Sequence, residues 1–523
     1  MSNQTHGFDE ALADALPRVM GTQHPDNMSR VPFGDSPKVP RSLEDEEVLY
    51  NIGTLSLEEM MIDYERKRGN VTPLWDWIHK CHSCLQQKII GRDFRVTPRI
   101  PNGDTEHNDP YFWQSMGIFI NALLVMNTIN ASGIPFKEFI VPDVRKGSTV
   151  ATTERHILQR YDLQRSQYAE YAEGSPFPFD QDFFVQGIPL IETVEHLIRP
   201  EPIWDELIQS RRRLSGRETS VQRSFIARSD PALKAGMLPA ILAAVIALDR
   251  GRAYERKTGV RLPQILGIGS APFRGGLTPD SDSIRAIAAT YPGTATVTVQ
   301  SAFRYDHPEA EVLRASRELE ETIRAEWMGR HDRGPSLEPK DVEEAALIVS
   351  FLRRDYETSY RQMLPLIHQI LPSIPSHRER YQDVSVAGES RKVGGYPAVR
   401  AIRFAASCYS LGLPPGLLGI RAWEQLDTRQ RDLVDRICPL FRFWLAKERQ
   451  WYNPDNAKLW LKSQDLGAVG EDLRAAEHLT SNQGLGFNAN HQAITSQIAA
   501  QLNREADLTH LVLQAAGERR FLG

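Results

Sequence analysis

Two carboxylates and a histidine stand where this 523-residue chain can do chemistry. Glu192 closes the apolar run IPLI and Asp230 follows FIARS, so acids end neighbouring strand-like segments. Magnesium takes one or two protein carboxylates and completes its octahedron with water and substrate oxygens, which is the chemistry such a pair offers. An ion pair with a nearby arginine such as Arg228 is the plainer alternative. His24 lies in VMGTQHPDNMSR between Gln23 and Pro25, with no periodicity that would make it core. A histidine in polar surroundings, its backbone stiffened by proline, suits proton transfer near neutral pH. Arg274, Arg304, Arg391 and Arg400 offer forked donors for a phosphorylated, carboxylated substrate.

Other chemistry-bearing stretches are weaker. GIGSAPFRGG lacks the Lys-Ser/Thr end of a phosphate loop, and GLGFNANH lacks the third glycine of a dinucleotide fingerprint. In the first, Arg274 between glycines can face an anion together with bare backbone amides. Cys81 and Cys84 form a CxxC flanked by His79 and His82, a spacing that zinc could use. The apolar spacing of TPLWDWIHKCHSCLQQKII instead predicts a helix with packing cysteines, and no second CxxC completes a zinc site.

The elements that must position these residues alternate from about residue 90. EFIVPDV, DQDFFVQGIPLIET, VQRSFIARSD, PQILGIGS and TATVTVQSAF predict buried strands. WQSMGIFINALLVMNTINAS, MLPAILAAVIALDRGRAYERK and EAEVLRASRELEETIRAEWMGR predict helices. Such alternation implies parallel strands with crossover helices, either an open sheet or a closed barrel. The strand runs stop at Arg145, Glu192, Asp230, Arg274, Gln300 and Arg304. A barrel gathers strand ends into one site, whereas an open sheet offers one crevice, so the expectation is an α/β fold of the TIM-type (β/α)8 kind. From about residue 310 the pattern is helical to the C-terminus, so residues 1–523 read as a single domain, a barrel core with additional helices.

The 62 basic and 67 acidic residues give a net charge of −5, which leaves no electrostatic footprint for nucleic acid. No membrane is expected: the start MSNQTHGFDEALADAL lacks a signal-peptide pattern, and MLPAILAAVIAL is too short to span a bilayer. Four cysteines in so long a chain fit a reducing compartment, and the expectation is a cytoplasmic protein.

TQHPDN, VTPRIPN, IPLIETVEHL, FIARSDPALKAG, GSAPFRGG, TVQSAFRYD and GGYPAVRAIRFAASCYSLGLPPGLLG, in this order, resemble the archaeal-type branch of phosphoenolpyruvate carboxylase. The resemblance implies a (β/α)8 barrel, usually in a homotetramer, that turns phosphoenolpyruvate and bicarbonate into oxaloacetate and phosphate with Mg2+ or Mn2+. By motif, His24 resembles the essential histidine of the larger enzymes' AHPTE segment. Glu192 and Asp230 match the metal carboxylates. Arg400, with Arg391, matches the phosphate-holding arginines, and Arg274 matches part of the glycine-rich arginine loop. Arg99 and Arg145 are looser matches for substrate contact, alongside Arg304 and Gln300 at the last strand end. The chain departs from the larger enzymes in three places. It carries one Arg-Gly-Gly unit where they have two, which leaves the role of Arg274 open. It has Leu233 where they have a lysine, with Lys234 next, and QAAGERRFLG leaves aspartate control undecided.

The mechanism this implies starts with bicarbonate attacking the phosphoryl group to give carboxyphosphate and the enolate of pyruvate. His24 assists proton removal, and glycine-rich loops close the site against water. The alternative is another metal-dependent phosphoenolpyruvate or oxoacid barrel lyase, which would not require bicarbonate. A catalytically silent relative would be expected to have lost His24 or the acids.

Overall fold

The computed structural model describes residues 15–523 apart from 65–72, 86, 130, 132, 172–182, 333, 335, 378–391, 394–395, 398 and 505. Eight strands form a closed barrel: β1 (Val19–Gly21), β2 (Glu59–Asp63), β3 (Arg95–Arg99), β4 (Glu138–Val141), β5 (Gln186–Ile191), β6 (Ser224–Ala227), β7 (Gln264–Gly267) and β8 (Thr296–Val299). Each strand pairs in parallel with the next, and β1 closes on β8 with Val19 opposite Val297. This is the expected (β/α)8 architecture.

Side chains alternate along a strand, so every second residue faces the barrel axis. Met20, Met61, Ile140, Ile188, Leu190, Phe225, Ala227 and Ile265 form a separate buried apolar cluster in these inward positions. Two residues toward the N-terminal end the inward positions are Glu59, Thr97, Glu138, Arg223 and Thr296, and two residues toward the carboxyl end they are Asp63, Arg99 and Glu192. The barrel is therefore a stack: charged floor, apolar middle, charged mouth. Burying each large apolar side chain in the middle contributes about 1.5–3 kcal/mol, which sets the rigid frame on which both charged layers are built.

β4 to β8 and the helix Glu309–Met328 fall inside the segments that predicted them, and the helix Met237–Thr258 runs one residue past the segment that ends at Lys257. Met237–Asp249 is buried throughout, as an apolar helix covering the barrel should be. The segment expected to be one helix from Trp113 to Ser132 divides into Pro110–Ser115 and Ile118–Thr128. Asp109 caps the first of these, and the chain breaks at Gly117. Helices make up most of the described chain after Glu309, including the long Pro339–Ile370, with one departure from the expected helical pattern in the antiparallel pairing of Lys392–Val393 with Tyr396–Pro397. Cys81 and Cys84 lie on the helix Pro73–Cys84, with Cys84 exposed.

Candidate active site

The carboxyl ends of the strands and the segments that follow them bring most of the singled-out residues to one mouth. Arg99, the last residue of β3, forms a two-pronged ion pair with Asp63, the last residue of β2: Nη2 to Oδ2 is 2.9 Å and Nε to Oδ1 is 3.3 Å. Glu192 follows β5 directly and is half-buried, and Thr193 caps the next helix, Val194–Ile198. Asp230, also half-buried, lies in the first turn of Ser229–Ala235, just after β6. β5 and β6 are neighbours, with Ile191 opposite Ile226, so the two candidate metal acids follow adjacent strands.

His24 lies in the segment after β1, which has no regular structure of its own and is tied to the segment after β8. Ser301 donates its amide to the His24 carbonyl at 3.2 Å, and Nδ1 of His24 lies 3.0 Å from the Thr22 hydroxyl. Burial lowers the imidazole's proton affinity, and the charges of Arg99 and then Arg274 lower it further, against Asp230 and Asp63, to a pKa of about 3. The ring is therefore neutral at physiological pH. The same four charges place His24 within electrostatic reach of both strand-end arginines and of a candidate metal acid.

Arg274 is buried in a 3-10 turn, Pro272–Arg274, after β7. Its guanidinium donates to Ser229 Oγ at 2.7 Å, to Gln300 Oε1 at 2.7 Å, to the Gly523 carbonyl oxygen at 2.7 Å and to Asp26 Oδ2 at 3.4 Å. Burial pulls it below arginine's ordinary value, with Asp26 and Asp230 opposing. The glycine-rich loop around it, expected to close the site against water, is buried and folded on itself. Gly269 donates to Arg274 O at 2.9 Å, and Gly276 to Gly269 O at 2.9 Å. Gly275 (φ 140°) and Gly276 (φ 86°) are needed there: a Cβ would meet Ile268 Cβ at 2.4 Å and Trp444 at 2.4 Å respectively. Arg228, read from sequence as a possible partner of the acids, instead donates to the Phe273 and Pro272 carbonyls and holds this loop from below.

The remaining candidates are placed differently. Arg304 is fully buried behind His24, where it donates to the Thr22 carbonyl and lies 3.4 Å from Glu47. Gln300 stands between β8 and the helix Ser301–Tyr305 and accepts from Arg274. Arg145 follows β4 but is exposed and pairs with Asp143 at 2.9 Å. Arg400 is exposed at the start of Ala401–Ser410, a helix whose Phe404 packs on Phe273 of the arginine turn. Lys234 is exposed on the Asp230 helix, and Arg391 lies outside the described residues.

Three acceptors escaped the sequence reading: Asp63, Asp26 and Ser229. Asp26 is buried and receives the amides of Ala302 at 2.8 Å and Ser270 at 3.4 Å. A carboxylate two residues from a candidate histidine was the available signal, but the contacts it makes span more than 240 residues of chain.

No group of three or more His, Cys, Asp or Glu that could hold a metal ion occurs among the described residues. Two hard oxygen donors on adjacent strand ends nevertheless fit Mg2+ or Mn2+, which leave most of their octahedron to water and substrate. They do not fit a closed zinc site, which needs four protein ligands.

The sequence model of one family, described as phosphoenolpyruvate carboxylase, matches residues 16–523. A phosphoenolpyruvate carboxylase of Methanothermobacter thermautotrophicus is 29% identical over 521 residues, covering 97% of this chain and 100% of its own. One from Pyrococcus abyssi is 32% identical over 425 residues, 80% of this chain and 85% of its own. One from Leuconostoc mesenteroides is 28% identical over 524 residues, 97% and 99%.

Proposed function

The chain belongs to the phosphoenolpyruvate carboxylase family, in its archaeal-type branch, and from that premise we propose how its barrel mouth combines phosphoenolpyruvate and bicarbonate into oxaloacetate and phosphate. The observation that supports the assignment of residues is that the charges of Arg99, Arg274 and Asp230, all after or at barrel strand ends, act on the buried imidazole of His24.

Phosphoenolpyruvate arrives with a phosphate and a carboxylate. Arg274 and Arg99 supply positive charge within the mouth, and Arg400, at the start of a helix packed on the arginine turn, takes the phosphate, with Arg391 as the second arginine of that family match. Arg145 acts at the rim, while Gln300 and Arg304 hold the arginine turn and the His24 segment in place. Glu192 and Asp230 hold Mg2+ or Mn2+, which when bound supplies Lewis-acid neutralisation of developing oxyanions.

A bicarbonate oxygen attacks phosphorus, the bond from phosphorus to the enol oxygen breaks, and carboxyphosphate and the enolate of pyruvate result. His24 then accepts the carboxyl proton of carboxyphosphate, which breaks into carbon dioxide and phosphate beside the enolate, whose carbon takes up the carbon dioxide. A base of pKa about 3 is weak for this task; burial is the largest cause of that value, and the charges of Arg99 and Arg274 add to it. Substrate anions beside the two arginines offset their part, so His24 gains proton affinity when the substrates are bound. Water must be kept out, because a protonated enolate is pyruvate.

Among the described residues no helix is long and apolar enough to cross a membrane. A cytoplasmic homotetrameric carboxy-lyase is the form we propose, on the strength of the family likeness and the four cysteines.

The test is to mix protein, phosphoenolpyruvate, bicarbonate and Mg2+ and follow oxaloacetate by its reduction to malate. Product should require bicarbonate. Product formed equally well without it would instead identify another phosphoenolpyruvate or oxoacid lyase. Glu192→Ala and Asp230→Ala should each shift the metal titration to higher concentration, and unaltered titration curves would remove these acids from the metal site.

A further inference from the structure

The mechanism above leaves one carboxylate beside the His24 segment without a role. Asp306 follows the short helix Ser301–Tyr305 and is aimed back at the chain after β1. Its Oδ2 accepts the Met28 amide at 2.8 Å and its Oδ1 accepts the Ser29 amide at 2.7 Å.

These bonds complete a pattern. The segment Thr22–Ser29 has no helix or strand to fix its course, and it is fastened at successive points to Gln300–Asp306. Arg304 holds the Thr22 carbonyl. The Ser301 amide holds the His24 carbonyl at 3.2 Å, and the Ala302 amide holds Asp26 Oδ1 at 2.8 Å. Asp306 holds the next two amides. The first contacts fix the segment at Thr22, His24 and Asp26, and Asp306 fixes the stretch beyond Asp26. Between His24 and Asp26 stands Pro25, whose ring removes one of the two free backbone torsions next to the histidine. A segment pinned on both sides of a stiff residue has little room to move the imidazole. Without Asp306 the Met28 and Ser29 amides lose their acceptor, and unsatisfied part-buried amides drive a loop to rearrange until they find water.

We propose that Asp306 is a positioning residue for His24: by accepting the Met28 and Ser29 amides it sets where the imidazole stands in the mouth. It touches no reacting atom. The inference rests on the reading of His24 as the group that removes the carboxyphosphate proton. It assigns a function to the last residue of TVQSAFRYD that neither charge neutralisation nor metal binding requires.

The experiment measures oxaloacetate and phosphate from the same reaction mixtures for wild type, His24→Asn, Asp306→Ala and Asp306→Asn, with thermal unfolding as the check on folding. Misplacing a catalytic group by about 1 Å costs on the order of 100-fold, so Asp306→Ala should lower kcat for oxaloacetate by about 10–100-fold. KM for phosphoenolpyruvate should stay within about threefold, because the arginines that hold it sit on other strands. The ratio of phosphate to oxaloacetate should rise in the same direction as in His24→Asn, since phosphoryl transfer continues while carboxylation fails. Asp306→Asn keeps one acceptor oxygen and should recover part of the loss; it also serves if the alanine variant does not fold. An unchanged ratio in a folded Asp306 variant overturns the inference, as does a fall in kcat that merely tracks the amount of folded protein. If His24→Asn itself leaves the ratio unchanged, it is the His24 mechanism that fails, and the two failures are distinguishable.

Discussion

The two ends of the barrel use the same residue types to opposite effect. At the N-terminal floor, Arg223 reaches Glu59 with both terminal nitrogens, at 2.8 and 2.9 Å, and Glu138 at 3.0 Å, while Arg95 closes on Glu138 at 3.0 Å. Thr97 adds a hydroxyl to Glu59 at 2.6 Å. Burial alone would raise the Glu59 carboxyl, but Arg223, Arg95 and Thr97 together hold it below the usual glutamate value, and Arg223 is pushed up in turn. The charged forms are favoured because each is matched. At the mouth, burial pulls Arg274 down, and burial, then Arg99 and Arg274, drive His24 to about 3. There the two arginines outweigh Asp230 and Asp63 at the imidazole. A matched buried network is a structural part of the barrel, and an excess of positive charge at a mouth draws anions.

The largest effect that can break this comparison is at the mouth. His24→Asn should lower oxaloacetate formation by about 100- to 10,000-fold, the range for loss of a general base, with the melting temperature nearly unchanged. Bicarbonate-dependent phosphate release should persist. Carboxylation at the wild-type rate would remove His24 from the chemistry.

At the floor the expectation reverses. Arg223→Met strands Glu59 and Glu138 without their central cation, which costs about 3–5 kcal/mol of stability for a broken buried pair. KM of the protein that remains folded should not move. Denaturant unfolding beside steady-state kinetics separates the two. A kinetic defect without a stability loss would mean that the floor, too, communicates with substrate.

The pH dependence of stability carries the same contrast with opposite signs. Glu59 is lowered in the folded protein, so its contribution is present above the usual glutamate value and lost as acid is added. Glu448 packs against the arginine turn, receives the Tyr409 hydroxyl and the Gly416 amide, and is raised by burial from 4.5 to about 7. The folded protein therefore binds this proton as pH falls through 7, while the unfolded chain does so only near 4.5. Its stabilisation is complete below that value and is lost as pH rises toward 7 and beyond. Between pH 5 and pH 8 this one group should cost on the order of 1–3 kcal/mol, and Glu448→Gln should flatten the slope. Equal slopes in the two proteins would show that Glu448 is not the group responsible.

The same layering explains what was legible in the sequence. β4 to β8 are four- to six-residue runs rich in Ile, Val and Leu, and they stood out. β1 has three residues, VMG; β2, EMMID, and β3, RVTPR, carry charges at both ends because those positions face the floor and the mouth, and β3 also contains Pro98. β1 is too short to show an alternation, and a strand whose inward residues are charged does not show an apolar one, so these three strands were invisible to it. At the mouth, His24, Arg99, Arg274, Glu192 and Asp230 were legible because each sits in a short motif. Their partners were not: Asp63 answers Arg99 across 36 residues, and Asp26 answers Arg274 across 248. Only the closed barrel brings those pairs together, and it also buries the glycine loop that the expected mechanism uses to close the site.

The finest distinction lies within the mouth, between two arginines that follow adjacent strands. Arg99 is 12% exposed and clamped on a largely buried Asp63, whereas Arg145 is 55% exposed and pairs with its near neighbour Asp143. A guanidinium in solvent acts on an anion through water and salt, and at physiological ionic strength the field is screened within about 8 Å. A guanidinium in the mouth acts across protein, where screening is weak. Arg145→Ala should therefore raise KM for phosphoenolpyruvate by no more than about threefold, with kcat unchanged, and the difference should vanish as salt is raised. Arg99→Ala should raise it by about tenfold or more and keep that difference in high salt, because it removes a charge-assisted contact and leaves Asp63 uncompensated beside an anion. Parallel KM measurements across a salt series decide it. A salt-insensitive effect at Arg145 equal to that at Arg99 would mean that the rim closes over the substrate.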